Sequence, residues 1–346
     1  MTQRRGGCAP AVLIVVLIIA VGLAVFWWLR NKKEQPPPPP SGDELQVHVL
    51  DVGQGDSILI VSPTGKTVLV DAGVPGSGKA VLAAMNRYNI KSIDLFIATH
   101  AHADHIGAAD EVIRAVPTQA VLDSGVSNTT KNYQDFLEAV KQSNAKFVQA
   151  EPGQNFDMGG GARVEVLAPI KPFFNKSELR SGGNEPNANS VVTRLDYGDF
   201  SMLLTGDAEA QTEERMISKG ENLQAKILKV GHHGSKYATS EDFLNRVKPE
   251  VAIISDGAQN RYGHPSQETL DRLRAARVKI YRTDLQGEIT IISKGKGYEI
   301  KAGREAKENE LFAGREAQRD DSARRGFVDY GDYGGPPPRP PKEARK

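Results

Sequence analysis

The chain has 346 residues, of which 25% are charged, and its formal net charge at pH 7 is +1. This near-neutral balance excludes nucleic-acid binding through overall basicity, so any such binding needs a local patch. The single cysteine, Cys8, excludes an intrachain disulfide and a zinc site made of thiolates. A metal would have to be held by imidazole and carboxylate groups.

The N-terminal part predicts a membrane anchor. After a flank at residues 1–10, residues 11–29 carry no charge, and at about 1.5 Å rise per residue they span a hydrocarbon core of about 30 Å. Trp27 and Trp28 at the end of this run suit the membrane interface. The alternative, a cleaved signal peptide, would have a shorter apolar region and a small-residue cleavage site. We expect a single-pass membrane protein with its main domain outside the cytoplasm, although basic residues on both sides leave the orientation open.

Two further segments flank the globular part. Residues 30–44 include five consecutive prolines at 36–40, which predict a stiff polyproline II spacer. Residues 304–346 mix both charge signs with few core-forming residues, which predicts a disordered tail. The PPPRPP stretch of this tail is a candidate ligand for a proline-binding partner, and a solvated tail without a partner is the alternative. These limits place the globular domain at residues 45–303.

From residue 45 onward the sequence alternates strand and helix patterns. Apolar, β-branched runs predict strands at 45–52, 57–62, 67–73, 95–98, 191–198, 200–207, 227–233 and 251–257. Helix patterns occur at 80–88, 135–142, 209–218, 241–247 and 267–276. The predicted fold class is α/β, with a mixed two-layer sheet core covered by helices.

The strongest local signal follows the strand at 95–98. His100, His102, Asp104 and His105 place three imidazoles and a carboxylate at a strand end, where a loop can fold around an ion. Such ligands suit Zn, Mn, Fe or Ni. In an extended segment His100 and His102 point to the same side, whereas Asp104 and His105 belong to the turn beyond. The pattern predicts a metal site.

Other polar groups occupy similar positions near apolar strands. Asp207 follows one strand, His232 and His233 follow another, and His264 lies in a GHP segment. Groups at strand ends can gather at one edge of a sheet. His48 differs, because it alternates with valines within the first strand, and we expect it to be a strand residue rather than a ligand.

The ordered motifs LDVGQGDSILI, VDAG, THAHADHIGA, NSVVTRLDYGDFSMLLTGDAE, LKVGHHGS and NRYGHPS resemble the metallo-β-lactamase superfamily. Together they resemble the metallo-hydrolase domain of the ComEC competence proteins, which take up transforming DNA. The resemblance covers nearly all of residues 45–300 and implies a metallo-β-lactamase αββα sandwich. It does not include the multi-pass channel region of those proteins, so no channel role is carried over.

The resemblance also implies a ligand set. His100 and His102 would hold one ion in a first site, while Asp104 and His105 would hold another in a second site. Asp207 would bridge the two. The ions implied are one or two divalent metals, Zn or Mn.

Two points of this ligand set stay open. One of His232 and His233 would complete the second site, and the sequence does not decide which. No histidine lies between His105 and Asp207, where most members of the superfamily place a further ligand. The first site is therefore expected to be the weaker one.

The implied chemistry is hydrolysis by a metal-activated water. Asp104 or Asp207 would orient the water. His264 would donate a proton to the leaving group or a hydrogen bond to a developing oxyanion, and a simple turn is the alternative for this residue.

Supporting residues lie beside the same motifs. The candidates for substrate binding are Asn189, Ser190, Ser235, Lys236 and Arg261, and Lys229 is a further candidate for phosphate contact. Solvated surface side chains are the alternative for the lysines. Asp51, Asp56 and Asp71 are expected to orient the ligands through hydrogen bonds.

The predicted function is a membrane-anchored, metal-dependent phosphodiesterase or nuclease that acts on DNA. A hydrolase of a small ester, lactone or nucleotide is the first alternative, because one fold hosts many chemistries. A non-catalytic surface binding module is the second, and the complete set of metal ligands argues against it.

Overall fold

The structure is a computed structural model that describes residues 42–179, 185–258 and 260–315. The predicted anchor at 11–29, most of the proline-rich spacer and the tail beyond residue 315 lie outside these residues. Across the described ranges, we find no helix with the length and apolar character needed to span a membrane.

Fifteen strands in the described residues form two sheets. In chain order they are β1 Leu45–Val49, β2 Ile58–Val61, β3 Thr67–Val70, β4 Ile93–Ala98, β5 Thr118–Asp123, β6 Lys146–Gln149, β7 Asn155–Gly159, β8 Ala162–Ala168, β9 Val192–Tyr197, β10 Phe200–Leu204, β11 Ile227–Lys229, β12 Val251–Ile254, β13 Lys279–Arg282, β14 Ile289–Ser293 and β15 Glu299–Ala302. One sheet has the order β15-β14-β1-β2-β3-β4-β5-β6, and the other β13-β12-β11-β10-β9-β8-β7. Each sheet is part antiparallel and part parallel. The parallel pairs run from β3 to β6 in one sheet and from β10 to β13 in the other.

Helices cover the outer faces of both sheets. Within the described ranges they are α1 Gly78–Arg87, α2 Ala103–Ile106, α3 Ala109–Ala115, α4 Lys131–Ser143, α5 Glu185–Ala188, α6 Ala210–Lys219, α7 Glu241–Val247, α8 Gln267–Ala275, α9 Thr283–Gln286 and α10 Glu308–Leu311. The helix predicted at 135–142 in fact begins at Lys131, because the Thr130 hydroxyl caps it by accepting the amide of Tyr133.

Three apolar layers show why this arrangement forms. Neighbouring residues of β4 illustrate it, because side chains alternate between the faces of a strand. Ile97 packs between the two sheets with Met202 of β10, whereas Phe96 faces outward and packs against Phe136 of α4. The third layer joins the second sheet to its helices through residues such as Phe243 of α7. These layers confirm the predicted αββα sandwich.

The fold continues past the predicted boundary at residue 303. The buried guanidinium of Arg282 donates to the carbonyls of Leu311 and Ala313 at 3.0 and 2.7 Å. Arg315 pairs at 2.5 Å with the carboxylate of Asp284, which Arg282 also binds. The segment up to Arg315 is therefore part of the domain, because it satisfies a buried cation and a buried anion.

We predict that a fragment of residues 42–303 is less stable than one of residues 42–315. The shorter fragment leaves the buried Arg282 without its carbonyl acceptors and removes one partner of Asp284, which should cost about 2–4 kcal/mol. Urea unfolding of both fragments measures the difference. Arg315→Ala in the longer fragment separates the ion pair from the carbonyl contacts, and equal unfolding midpoints for the two fragments would contradict the assignment.

Candidate metal centre

The polar residues of the site follow the carboxyl ends of parallel strands in both sheets. Asp71 follows β3, His100 follows β4, Asp207 follows β10, His233 follows β11 and Ser255 follows β12. Parallel strands end at a common edge, where loops from both sheets of the sandwich meet. The sequence signals after different strands are therefore brought together in one place.

The first motif turns directly from strand to helix. The carbonyl of His102 accepts the amides of His105 and Ile106, so α2 begins immediately after it. The loop before β2 supports this turn, because the amide of Asp56 donates to the carbonyl of Asp104 at 3.2 Å. Gly55 lies so close that a Cβ there would overlap this carbonyl oxygen. A glycine is required at this approach.

The second site is a compact group of four buried residues. Asp104, His105, Asp207 and His233 offer one ligand atom each, and these atoms all lie within 4.8 Å of one another. His105 Nε2 lies 3.2 Å from Asp207 Oδ1, and His233 Nε2 lies 3.3 Å from Asp104 Oδ2. The two Nε2 atoms are 3.3 Å apart. Imidazole and carboxylate donors at such spacing can converge on one divalent ion.

The first site lies beside the other oxygen of Asp207. His100 Nε2 is 3.9 Å from Asp207 Oδ2 and 2.9 Å from His102 Nδ1. His232 approaches the same oxygen, with its Nε2 at 3.8 Å. The carboxylate of Asp207 thus has imidazoles on both sides.

The structure separates His232 from His233. Both have a left-handed backbone, with φ of 46° and 51°, in a short 3-10 turn between β11 and α7. His233 belongs to the compact second site, whereas His232 lies at Asp207 Oδ2. Of the two candidates left open by the sequence, His233 occupies the place of the second-site ligand.

Oxygen atoms orient the far side of the second-site imidazoles. Asp71 Oδ2 lies 2.7 Å from His105 Nδ1 and also accepts the hydroxyl of Thr99 at 2.6 Å. His233 Nδ1 lies 2.9 Å from the carbonyl oxygen of Ser255. An oxygen at Nδ1 places the proton there and directs the Nε2 lone pair into the site.

The buried carboxylates of the centre stabilise positive charge in their neighbourhood. Burial lowers the pKa of His105, but Asp207, Asp71 and Asp104 outweigh this and raise it well above its usual range. Burial also lowers the pKa of His233, and the same kind of carboxylate contact raises it to about 9. Burial raises the pKa of Asp207, but the surrounding imidazoles hold it well below its usual range. Protons on the imidazoles or a divalent cation can supply this positive charge, and a bound cation displaces the protons.

Two buried oxygens support a fit to metal. Asp104 Oδ1 and Asp207 Oδ1 accept no hydrogen bond from any residue that the structure describes. Buried carboxylate oxygens normally have a partner. Together with the imidazoles around them, they form a His/Asp cluster able to bind metal ions.

The predicted substrate-binding residues fall into two sets. Asn189, Ser190 and Ser235 are buried supports: Asn189 bonds to the backbone of Phe174, and Ser190 Oγ accepts the amide of Asp207 at 3.2 Å. Ser235 is likewise buried. Burial leaves these three side chains little surface to offer a substrate.

Lys236 and Arg261 instead are exposed and lie in the two loops next to the histidines. Each stacks near a tyrosine, with Lys236 Nζ 5.2 Å from the ring centre of Tyr237 and Arg261 Cζ 5.3 Å from that of Tyr262. The two loops adjoin, since the amide of Ser266 donates to the carbonyl of Gly234. We call these four side chains the basic–aromatic rim.

Two sequence interpretations need correction. Lys229 is fully buried, with its Nζ 2.7 Å from Asp56 Oδ2, so it supports the loop before β2 and does not face a phosphate. Asp51 has a side chain 40% exposed and faces Arg304 at 3.6 Å. It lies outside the network beneath the histidines, whereas Asp56 and Asp71 belong to it.

His264 lies beside His232, with ring centres 5.5 Å apart. The side chain of Asn260 holds its loop, accepting the amide of His264 and donating to its carbonyl. Burial, with smaller contributions from His232 and His233, lowers the pKa of His264 to about 3. A neutral imidazole here fits a hydrogen-bond donor better than an imidazolium acid.

Sequence reasoning missed several supporting residues. Glu209, Asn187 and Ser255 all contact the imidazoles, and Glu213 holds the loop behind them. Glu209 is the one with a sequence signal, since it lies within the GDAE motif two residues after Asp207. The others become visible only through contacts between distant segments.

Known proteins resemble the chain in sequence. The sequence model of the metallo-beta-lactamase superfamily matches residues 50–255. The chain is 31% identical over 264 residues to ComE operon protein 3 of Bacillus subtilis, which covers 71% of this chain and 33% of that protein. It is 32% identical over 254 residues to Recombination protein 2 of Haemophilus influenzae, with 71% and 28% covered. It is 30% identical over 249 residues to Competence protein ComA of Neisseria gonorrhoeae, with 71% and 32% covered. The chain spans about a third of the length of these relatives.

We predict that Asp71→Asn weakens divalent-metal binding about 10- to 100-fold. Asp71 accepts the Thr99 amide at Oδ1 and contacts the Thr99 hydroxyl and His105 Nδ1 at Oδ2. Asparagine has one acceptor oxygen, so its NH₂ group must face either the Thr99 amide or His105, which disturbs the support of His105. Calorimetric titration with Zn²⁺ or Mn²⁺ measures the effect. Asp94→Asn is the matched control, because Asp94 accepts the amide of Thr67 at the opposite end of the same strands. Equal affinities for the two variants would contradict this role of Asp71.

We predict a pH-dependent stability term from Glu213. Its buried carboxylate accepts the amides of Thr239 and Ser240, and Thr239 in turn accepts the amide of Gly231 at the start of the histidine turn. Burial raises the pKa of Glu213 from 4.5 to about 7. Below pH 4.5 both folded and unfolded chains are protonated; as pH rises to 7 only the folded chain keeps the proton, so stability falls by about 3 kcal/mol.

Urea unfolding of the wild type and Glu213→Gln at several pH values isolates this contribution. The wild type should lose stability relative to the variant between pH 4.5 and pH 7 and show no further relative change above it. Parallel stability curves for the two proteins would show that Glu213 does not titrate in this range.

Proposed function

The chain belongs to the metallo-β-lactamase superfamily of metal-dependent hydrolases, and from this membership we propose that it is a phosphodiesterase that cleaves DNA. The observation that carries the proposal is the two-sided arrangement of imidazoles about Asp207. Sites for two ions are used to stabilise both the attacking and the leaving oxygen of a phosphoester. The words competence and recombination in the names of the relatives point in the same direction.

The residues divide the work as follows. Asp104, His105, His233 and Asp207 would hold an ion in the second site. A bound divalent ion supplies Lewis acidity, which polarises a phosphoryl oxygen and lowers the pKa of water. Zn²⁺ and Mn²⁺ both suit this donor set.

Asp104 and His264 are the proposed catalytic residues of the chain itself. Asp104 Oδ1 has no hydrogen-bond donor among the described residues, so it is placed to accept one from the attacking water. His264 Nδ1 is also without a hydrogen-bond partner there. As a neutral imidazole, it would donate its single N–H to the oxygen on which charge develops.

The basic–aromatic rim supports a polyanionic substrate. Two cations and two tyrosine rings border the histidines although the net charge of the chain is only +1. Cations bind phosphates, and aromatic rings stack on unpaired bases. Because the net charge is close to zero, binding of DNA needs a local basic patch, and the rim is such a patch.

The location of the reaction is proposed from the sequence alone. Residues 11–29 would anchor the protein in the membrane, and the hydrolase domain would lie outside the cytoplasm. The PPPRPP stretch would be the segment open to a proline-binding partner.

We predict that residues 42–315, loaded with Mn²⁺ or Zn²⁺, cleave labelled single- or double-stranded DNA. The double variant Asp104→Ala/His105→Ala should lower the rate at least about 100-fold, because it removes the proposed base and two ligands. Asp110→Ala is the control, since this carboxylate pairs with Arg114 on the surface of α3 and should leave the rate unchanged.

Further substrates separate the alternatives. Lys236→Ala/Arg261→Ala should slow the cleavage of DNA and leave the cleavage of a small phosphodiester unchanged, since the rim contacts only a long substrate. Cleavage of small esters, lactones or nucleotides without cleavage of DNA would replace the proposal by the small-molecule alternative. No hydrolysis of any of these by metal-loaded protein would favour a binding module.

A further inference from the structure

The first site is short of one ligand in the sequence, because no histidine lies between His105 and Asp207. In the structure His232 lies beside this site. We propose that His232 is the missing imidazole, so that the two adjacent histidines of the GHHGS motif serve two different ions, His233 the second site and His232 the first. This inference rests on the metal-dependent function proposed above.

The distances around Asp207 are the first argument. His105 and His233 direct Nε2 toward Oδ1, at 3.2 and 3.5 Å. His100 and His232 direct Nε2 toward Oδ2, at 3.9 and 3.8 Å. His232 therefore stands in the same relation to the oxygen of the first site as His100, which the family resemblance makes a ligand.

The far side of the His232 ring gives the second argument. Its Nδ1 lies 3.4 Å from Oε1 of the buried Glu209. At His105 and His233 the oxygens of Asp71 and Ser255 lie closer to Nδ1, at 2.7 and 2.9 Å, within hydrogen-bond distance. The contact of His232 with Glu209 is a charge contact without hydrogen-bond geometry. Metal-binding imidazoles characteristically place an oxygen at the nitrogen that does not bind the ion.

The nitrogen of His232 that faces Asp207 also contacts Asn187. The amide group of Asn187 lies 3.2 Å from His232 Nε2. An ion bound at this nitrogen would replace the contact with Asn187, because a single lone pair serves one partner.

The backbone provides the third argument. Residues other than glycine rarely adopt a positive φ, and two consecutive left-handed residues reduce the stability of the fold. The turn keeps both at His232 and His233, held by the bond from the His232 amide to the carbonyl of Gly206 at 3.2 Å. This conformation sends the two adjacent rings to opposite oxygens of Asp207, which a turn built to present only His233 would not need.

The test counts bound ions without a substrate, so a failure of the DNA-cleavage proposal leaves its result unaffected. The purified full chain is stripped with a chelator and titrated with Zn²⁺ and, separately, with Mn²⁺. Bound equivalents are counted by elemental analysis after desalting, and affinities are measured by calorimetry. We expect two equivalents for the wild type. His232→Ala should lose the weaker equivalent, or bind it at least about 100-fold more weakly, and keep the tighter one.

Two further variants make the result specific. His264→Ala removes the other imidazole next to His232 and should retain both equivalents. Glu209→Gln keeps His232 but replaces the carboxylate at its Nδ1, and should weaken only the weaker equivalent, about 10- to 100-fold. This second variant tests the proposal even if His232→Ala fails to fold, which thermal unfolding reports.

Three outcomes would overturn the proposal. The first is a single equivalent in the wild type with both metals. The second is two equivalents of unchanged affinity in His232→Ala. The third is an equal loss in His264→Ala and His232→Ala, which would show that the ring cluster as a whole, and not a ligand at Asp207, holds the second ion.

Discussion

The structure of the site depends on one buried carboxylate. Asp207 lies at the end of β10 with imidazole nitrogens on both of its oxygens. An isolated carboxylate in such a position would be costly, so the positions of the surrounding histidines must be held firmly. Loops from both sheets supply them, and the αββα sandwich is what brings the ends of these strands to one edge.

A set of buried polar residues holds the histidines in place. Asp71 fixes His105, and the carbonyl of Ser255 fixes His233. Beneath them, the buried pair of Lys229 and Asp56 connects the loop before β2 to β11 in the other sheet. Removing one partner of such a pair leaves an uncompensated buried charge, which costs far more than the pair itself contributes. The cluster and its supports therefore act as one unit.

Local patterns predicted β1 to β4 and β9 to β12. They missed the other seven strands of the described residues, which include interior strands such as β14 as well as edge strands. The apolar strands β4, β10 and β12 are buried on both faces and produce continuous apolar runs, so they could be identified from sequence. The edge strands β6 and β15 are largely exposed and polar and have no such pattern. The charged segment up to Arg315 looked like a tail because its partners, Arg282 and Asp284, are distant in sequence.

The sequence by itself determined the α/β class through its apolar strand and helix patterns. It also determined the HxHxDH cluster and the position of Asp207, because these depend on residue types that follow an apolar strand. Only the tertiary structure decided the roles of neighbouring residues. His232 and His233 are adjacent and chemically identical, and the left-handed backbone alone sends one to each oxygen of Asp207. Lys229 has the residue type of a surface position, but a strand buried between sheet and helices turns it inward to Asp56. The position of a residue in the sequence shows which strand it follows. The backbone conformation and the burial, which the whole fold sets, decide which other groups its side chain contacts.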